Sequence, residues 1–137
     1  MDGPQRQLKQ PFWGPGSCWE SSVRFDEFAF GRIRIDGTSY DHDLVIDRGK
    51  IRKRKKKPSR KYREAFGHTP LSVEEDLPWN CRQLVVGTGM GALPIMSEVK
   101  LEAKRRKVEL LILPTAKAIE ILNKQPEETN AILHVTC

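Results

Sequence analysis

A glycine-rich turn is the strongest candidate for a binding site in this chain of 137 residues. The turn consists of Gly87, Thr88, Gly89, Met90 and Gly91, and it follows an apolar run at residues 84–86. Exposed backbone N–H groups in a turn of this kind can bind a small anion. The alternative is that the glycines only permit tight backbone turns and close packing.

The same turn fits the loose dinucleotide-binding pattern G-x-G-x-x-[G/A], which Ala92 completes. Two features argue against a nucleotide. Pro94 delays the helix that should begin inside the pattern, because proline disfavours helical backbone in the residue before it. The next apolar run ends at residues 113–115 without an acid that could bind a ribose. We therefore predict no cofactor and interpret the turn as a contact for an anion or a protein partner.

A basic segment, residues 48–63, is the second candidate. It holds eleven of the 24 Lys and Arg residues and no acid, so the rest of the chain is net acidic. Such a segment attracts phosphate, and Tyr62 and Phe66 could stack on bases, so nucleic acid or another polyanion is one candidate ligand. The alternative is a solvated edge strand whose charges prevent aggregation.

The histidines and arginines define a third hypothesis. His42, His68 and His134 lack the spacing of a metal site, so we predict no metal ligands. His68, which precedes a short predicted helix, is the best functional candidate among them. In an enzyme that acts on a small ligand, we would expect Arg52, Arg54 and His68 to converge on the glycine turn. No spacing of residues in the sequence predicts a catalytic group, because such groups assemble in space.

The first half of the chain predicts an antiparallel meander. Residues 30–35 alternate apolar and basic side chains, as in a half-buried strand, and Asp36-Gly37 supplies a hairpin turn. Further strands are expected at residues 40–46 and 50–55, followed by a basic loop at residues 60–71. Ser72 is then expected to cap a short helix, with Glu75 completing a capping box.

The second half alternates strands and helices. Strands are predicted at residues 84–86, 108–113 and 131–135, with helices that begin near Ser97 and Thr115. Because the apolar runs are continuous, we expect parallel pairing of at least the first two of these strands, covered by helices.

Length and composition indicate one small domain. The chain is 38% hydrophobic and 31% charged, and residues 24–137 are expected to form a single α/β domain. Residues 1–23 are rich in proline and glycine and are expected to be a disordered extension. We find no apolar run of about 20 residues and no signal-peptide pattern, so we expect a cytoplasmic protein with no membrane contact. The cysteines show no CxxC pair, which indicates reduced thiols.

Several short motifs, in their order along the chain, resemble one family over about residues 25–137. They are FGRIRIDG at residues 30–37, Tyr40, LVVGTG at residues 84–89, Leu113-Pro114-Thr115-x-x-Ala118 and LHVTC at residues 133–137. The family is a small domain, long known as a domain of unknown function in bacteria and archaea. It includes the adipogenesis-associated domain protein and mitochondrial complex I assembly factor 3. The resemblance implies a three-layer β/β/α fold with a mixed central sheet and no established catalytic activity.

Animal members of that family look like assembly or regulatory factors, so the resemblance implies a protein partner. It also carries over the glycine turn, Arg52, Arg54 and His68 as candidate contacts. Our leading hypothesis is therefore a non-enzymatic protein-interaction or assembly-type factor. The alternatives are an enzyme that binds a small anion or ligand at residues 87–91, and polyanion binding through residues 48–63.

Overall fold

The computed structural model describes residues 23–29 and 31–135. The predicted disordered extension lies outside these ranges except for Val23. The strands are β1 (Phe25–Ala29), β2 (Arg32–Ile35), β3 (Thr38–Tyr40), β4 (Leu44–Asp47), β5 (Lys50–Lys53), β6 (Gln83–Thr88), β7 (Glu109–Leu113) and β8 (Thr129–His134). The helices are a 3₁₀ helix (Lys57–Tyr62), α1 (Arg63–Phe66), α2 (Ser97–Arg105) and α3 (Thr115–Lys124). No helix in these ranges is long and apolar enough to span a bilayer.

An antiparallel meander of β1, β2 and β3 opens the domain, as the sequence predicts. Ile33 and Ile35 of β2 are buried while Arg32 and Arg34 are exposed, which is the alternation of a sheet with one covered face. Asp36 and Gly37 both have positive φ and form the predicted turn between β2 and β3. The meander ends at Tyr40, whereas the sequence pattern extended it to residue 55.

The chain changes sheets at residues 41–43, so the single strand predicted at residues 40–46 is wrong. β3 stays in the meander, and β4 enters a second sheet. The physical reason is burial, because Leu44, Val45 and Ile46 are buried on both faces of their strand. A continuous apolar run of this kind is typical of a strand that is covered on both faces.

The second sheet has five strands in the order β5-β4-β8-β6-β7. β6 pairs in parallel with both β7 and β8, in agreement with the prediction for the second half. β4 pairs antiparallel with β5 and β8, so the sheet is mixed. β8, the last strand in the described part of the chain, lies at its centre.

Helices and the meander cover the two faces of the five-stranded sheet. On one face, Val85 and Leu133 pack with Ile33 of the meander and with Ala118 of α3. On the other face, Val86 packs with Val99 of α2 and with other apolar residues. The protein is therefore an α/β domain with a mixed central sheet and an N-terminal antiparallel meander, which confirms the predicted fold class.

The link from β5 to β6 differs from the prediction. The 3₁₀ helix and α1 occupy much of the segment predicted as a loop, and no helix forms at residues 72–77. Ser72 is buried and its hydroxyl contacts the hydroxyl of Ser59 at 2.6 Å. Glu75 is buried with its carboxylate on Arg54. These tertiary contacts replace the predicted capping box.

Candidate functional site

Most of the predicted site residues lie at the end of the five-stranded sheet where β6 and β8 finish. In the parallel register Thr88 lies beside His134, so β6 and β8 end together. β4 runs the other way, and its first residue Leu44 pairs with both Leu133 and Lys53. The same end of the sheet therefore carries the glycine turn, the end of β8 and the end of the basic strand β5.

The glycine turn is fastened to the start of α3. The Gly89 N–H donates to the Thr115 hydroxyl at 2.8 Å, and the Thr115 N–H donates to the Gly89 carbonyl at 3.0 Å. The Thr115 hydroxyl in turn donates to the carbonyl of His134 at 2.7 Å. The Thr88 hydroxyl donates to the carbonyl of Leu113 at 3.2 Å. These bonds close the crevice between β6 and β7, where open α/β sheets usually bind ligands.

Most N–H groups of the turn have partners inside the protein. The N–H group of Gly91 and those of the next two residues, Ala92 and Leu93, all donate to the Thr88 carbonyl, at 3.1 to 3.3 Å. The Gly89 N–H is bonded to Thr115, so together with these three N–H groups it makes four donors that are not available to an anion. Met90 and Gly91 are the exposed residues of the turn, and Met90 retains 67% of its full accessible area. These bonds argue against an anion site built from the backbone N–H groups of this turn.

The glycines also meet structural needs. Gly89 and Gly91 have φ of 71° and 104°, which other residues adopt only with strain. Gly87 has no positive φ, but a Cβ there would lie 2.7 Å from the Thr115 hydroxyl oxygen. Glycine at this position allows β6 to pass close to α3.

A buried ionic cluster lies beside the turn, centred on Arg54. Its Nε and Nη2 donate to the two carboxylate oxygens of Glu75, at 2.8 and 2.7 Å. Nη1 donates to Asp43 at 3.0 Å, and Nη2 also donates to the carbonyl of Pro70 at 3.1 Å. Burial by itself would lower the pKa of Arg54, but Glu75 and Asp43 raise it above its ordinary value. Arg54 is therefore a permanent buried cation.

Asp43 connects this cluster to the end of β8. One carboxylate oxygen lies 2.7 Å from Nδ1 of His134, and the other accepts the Val135 N–H at 2.8 Å. Burial raises the pKa of Asp43, but the contacts with His134, Val135 and Arg54 outweigh it and lower the pKa to about 2. Asp43 is thus ionised at neutral pH.

The cluster also holds the segment that follows β5. The Ser59 hydroxyl of the 3₁₀ helix donates to Glu75 at 2.5 Å and contacts Ser72. Sequence reasoning missed these roles, because Glu75 was assigned to a capping box and Asp43 lay within the strand predicted at residues 40–46. The only available signal was an acid directly before the apolar run at residues 44–46.

Arg52 and His68 lie away from the cluster's interior. Arg52 donates to the carbonyl of Asp76 at 3.0 Å and its guanidinium lies 3.6 Å from the Asp76 carboxylate. His68 is exposed in the loop after α1. The structure therefore places Arg54 at the end of the sheet that carries the glycine turn, but the guanidinium of Arg54 is bonded within the cluster and that of Arg52 is bonded to Asp76. The two arginines thus contact these acids, whereas the sequence hypothesis expected them to point at the turn together with His68.

Asp76 forms part of a groove of about 420 Å³ that sequence reasoning missed. Arg48 and Arg106 also line the groove, and the guanidinium of Arg106 lies 5.5 Å from the ring centre of Trp79. Both charge signs are therefore present in its walls. No spacing in the sequence connects these residues, which come from three separate segments.

The basic segment forms a folded surface. Its exposed cations lie on β5, on the 3₁₀ helix, between them, and on α1; we call these residues the basic surface: Lys50, Lys53, Lys55, Lys57, Arg60, Lys61 and Arg63. Lys61 is paired with Glu74 at 2.5 Å. Tyr62, which also bonds Glu74, is half-buried. The surface therefore presents lysines and arginines on a fixed backbone.

Solved structures with the same fold include a conserved hypothetical protein from Pyrococcus horikoshii. That protein is 30% identical, with a TM-score of 0.69 over 83% of this chain and 99% of its own. A Mth938-like domain from Bordetella pertussis is 15% identical, with a TM-score of 0.54 over 93% and 92% of the two chains. A Xanthomonas campestris protein is 11% identical, with a TM-score of 0.59 over 85% and 86%. The last two show the fold alone.

Comparison with curated proteins finds no match. The model of one protein family, described as a protein of unknown function (DUF498/DUF598), matches residues 25–135. This match covers nearly all of the described domain, from β1 to the residue after β8. The chain belongs to the DUF498/DUF598 family.

Proposed function

We propose that this domain is a non-enzymatic interaction or assembly-type factor that binds an acidic surface of a partner protein through the basic surface. The observation that carries the proposal is the buried cluster of Arg54, Asp43 and Glu75, which fixes the backbone beneath the exposed cations. The resemblance to the family of the adipogenesis-associated domain protein and complex I assembly factor 3 supports a role of this kind.

Rigidity favours a protein partner. A flexible basic tail loses conformational entropy when it binds, whereas a folded surface is already ordered before it binds and loses much less. The 3₁₀ helix is held on its buried side by the hydrogen bond from Ser59 to Glu75. Near its C-terminal end it is held on the protein surface by the ion pair between Lys61 and Glu74. Complementary charge on a partner would raise the association rate and select the orientation of docking.

Site-specific photocrosslinking tests the proposal. A photoreactive residue at Lys57, in the 3₁₀ helix, should give a reproducible adduct with a protein in nuclease-treated extract from the source cells. The same residue at Lys117, which is exposed on α3, is the control. We expect the adduct only at position 57, and we expect it to weaken as salt rises because exposed charges are screened. Equal adducts at both positions, or none at position 57, would contradict the proposal.

Nucleic acid is the second candidate partner, and exposed Phe66 favours it. This side chain is 41% exposed at the end of α1, next to the cations of the basic surface. An aromatic ring beside lysines and arginines can stack on an unpaired base. Fluorescence titration with single-stranded DNA at several salt concentrations tests this function. Binding that does not weaken steeply with salt, or that is unchanged in Phe66→Ala, would exclude it.

A further inference from the structure

The outer strand β7 is apolar at the free edge of the five-stranded sheet. Leu110, Leu111, Ile112 and Leu113 are all half-buried, and Glu109 is its one charged residue. Within the described ranges, β6 is the strand that pairs with it. Natural proteins usually protect such edges with charges, prolines or bulges, and β7 has none of these between Glu109 and Pro114.

The ladder with β6 determines which backbone groups of β7 remain at the edge. The Glu109 N–H donates to the carbonyl of Arg82 at 3.0 Å. In a parallel pair alternate residues bond the neighbouring strand, so Glu109, Leu111 and Leu113 face β6. The N–H and C=O groups of Leu110 and Ile112 therefore point away from the sheet.

The opposite edge is built differently. β5 carries exposed Lys50 and Lys53, and two copies of this strand would bring like charges together. The sheet thus has one edge that repels a second copy and one edge that accepts a strand.

We propose that β7 pairs antiparallel with β7 of a second copy of this chain, about a two-fold axis at Leu111. In this register Leu110 of each copy lies opposite Ile112 of the other. All four outward-facing backbone groups of each strand are then hydrogen-bonded, because both residues of each pair face the edge. Glu109 lies opposite Leu113, so the two acidic residues are not opposed.

Neighbouring registers are poorer. A shift that places Leu110 opposite Leu110 also pairs Ile112 with Val108, whose N–H already donates to Ala103 at 2.9 Å. A shift the other way pairs Leu110 with Pro114, which has no N–H. Of these three registers, only the one centred on Leu111 forms hydrogen bonds with all the outward-facing backbone groups of β7.

A two-fold contact of this kind uses the same surface on both copies and closes at a dimer. The contact is small, so we expect a weak dimer that forms at protein concentrations on the order of 0.1 to 1 mM. Sedimentation equilibrium of the full chain should show it. A chain that remains monomeric at about 1 mM would overturn the proposal.

Charge pairing at the two-fold axis tests the register. Leu111→Lys and Leu111→Glu should each weaken the dimer by roughly tenfold or more, because each places like charges opposite one another. A mixture of the two variants should restore association as a heterodimer. Lys53→Glu, on the other edge, is the control and should leave the dimer unchanged. Circular dichroism establishes that each variant is folded, and folded variants that do not associate when mixed contradict this register.

Hydrogen exchange of the unaltered chain gives a test that needs no variant. The amides of Leu110 and Ile112 should exchange more slowly at high protein concentration than at low concentration. The amides of Leu111 and Leu113, bonded to β6, should be protected at both. A dimer without this alternation would have a different interface and would overturn the proposal.

Discussion

Gly87 lies where β6 passes closest to the start of α3. A Cβ at this position would lie 2.7 Å from the Thr115 hydroxyl oxygen and 3.1 Å from the Thr115 Cα. We predict that Gly87→Ala lowers the free energy of unfolding by about 1–3 kcal/mol, because backbone atoms must shift to relieve the contact. Urea denaturation measures this change.

A double-mutant cycle identifies the cause. Thr115→Ala removes the oxygen nearest to the new methyl group, so Gly87→Ala should cost less in that background than in the unaltered chain. Additive costs would show that the two positions do not interact. The bonds from Gly89 and to His134 are also lost in Thr115→Ala, and the cycle subtracts that cost.

The ionisation of Asp43 should make the free energy of unfolding depend on pH in the acidic range. Its pKa is about 2 in the folded protein and ordinarily 3.8. The unfolded chain therefore takes up a proton first as pH falls, and the stabilisation, complete above pH 3.8, is lost as pH falls toward 2. Linkage gives about 2 kcal/mol for this shift.

The measurement compares unfolding free energies of the unaltered chain and Asp43→Asn between pH 6 and pH 2. Asparagine cannot ionise, so the advantage of the unaltered chain should shrink by about 2 kcal/mol over this range. A constant difference would show that Asp43 is not held ionised by its neighbours.

The element most dependent on a single side chain is the segment from the 3₁₀ helix to residue 75. Arg54→Met leaves the carboxylates of Asp43 and Glu75 buried without their cation. We predict a loss of about 3–5 kcal/mol in stability, together with faster proteolysis within this segment. Chemical denaturation and limited trypsin digestion measure the two effects.

Arg52→Met is the matched control for that prediction. Arg52 lies two residues away and pairs with Asp76, whose side chain is 84% exposed. Exposed ion pairs contribute about 0–1 kcal/mol, so this variant should be nearly as stable as the unaltered chain. Equal losses in the two variants would mean that burial of Arg54 is not what matters.

Local patterns predicted the elements whose packing is local. The alternation at residues 32–35, the Asp36-Gly37 turn, and the apolar runs of β6 and β7 all appear as expected. Patterns failed where distant contacts decide the backbone. Glu75 satisfies a capping rule, but it forms a buried pair with Arg54, 21 residues away, and the predicted helix is absent.

The same limit applies to the candidate site. The glycine turn could be placed from sequence because a strand, its end and the glycines are adjacent along the chain. Its engagement with Thr115 could not, since 26 residues separate Gly89 from that hydroxyl. Arg54 looked equivalent to Arg52 in the basic segment, and only the position of Asp43 and Glu75 distinguishes them.

For the molecule as a whole, the position of charge should matter more than its total. Lys53→Glu, Lys55→Glu and Lys57→Glu together change the net charge as much as the same change at Lys100, Lys117 and Lys124, which are exposed elsewhere. We predict that the first triple variant elutes from a heparin column at much lower salt than the second. Equal elution would show that binding follows net charge and not the basic surface.

The central place of β8 also determines when the domain can fold during synthesis. β4 and β6 each pair with β8 and not with one another, so they remain unpaired on that side until residues 129–134 have left the ribosome. Until then Val85 and Leu44 lack much of their apolar cover. Until residues 129–134 emerge, the nascent chain exposes apolar strands that the folded domain buries, and we expect it to bind chaperones at the ribosome exit during that interval.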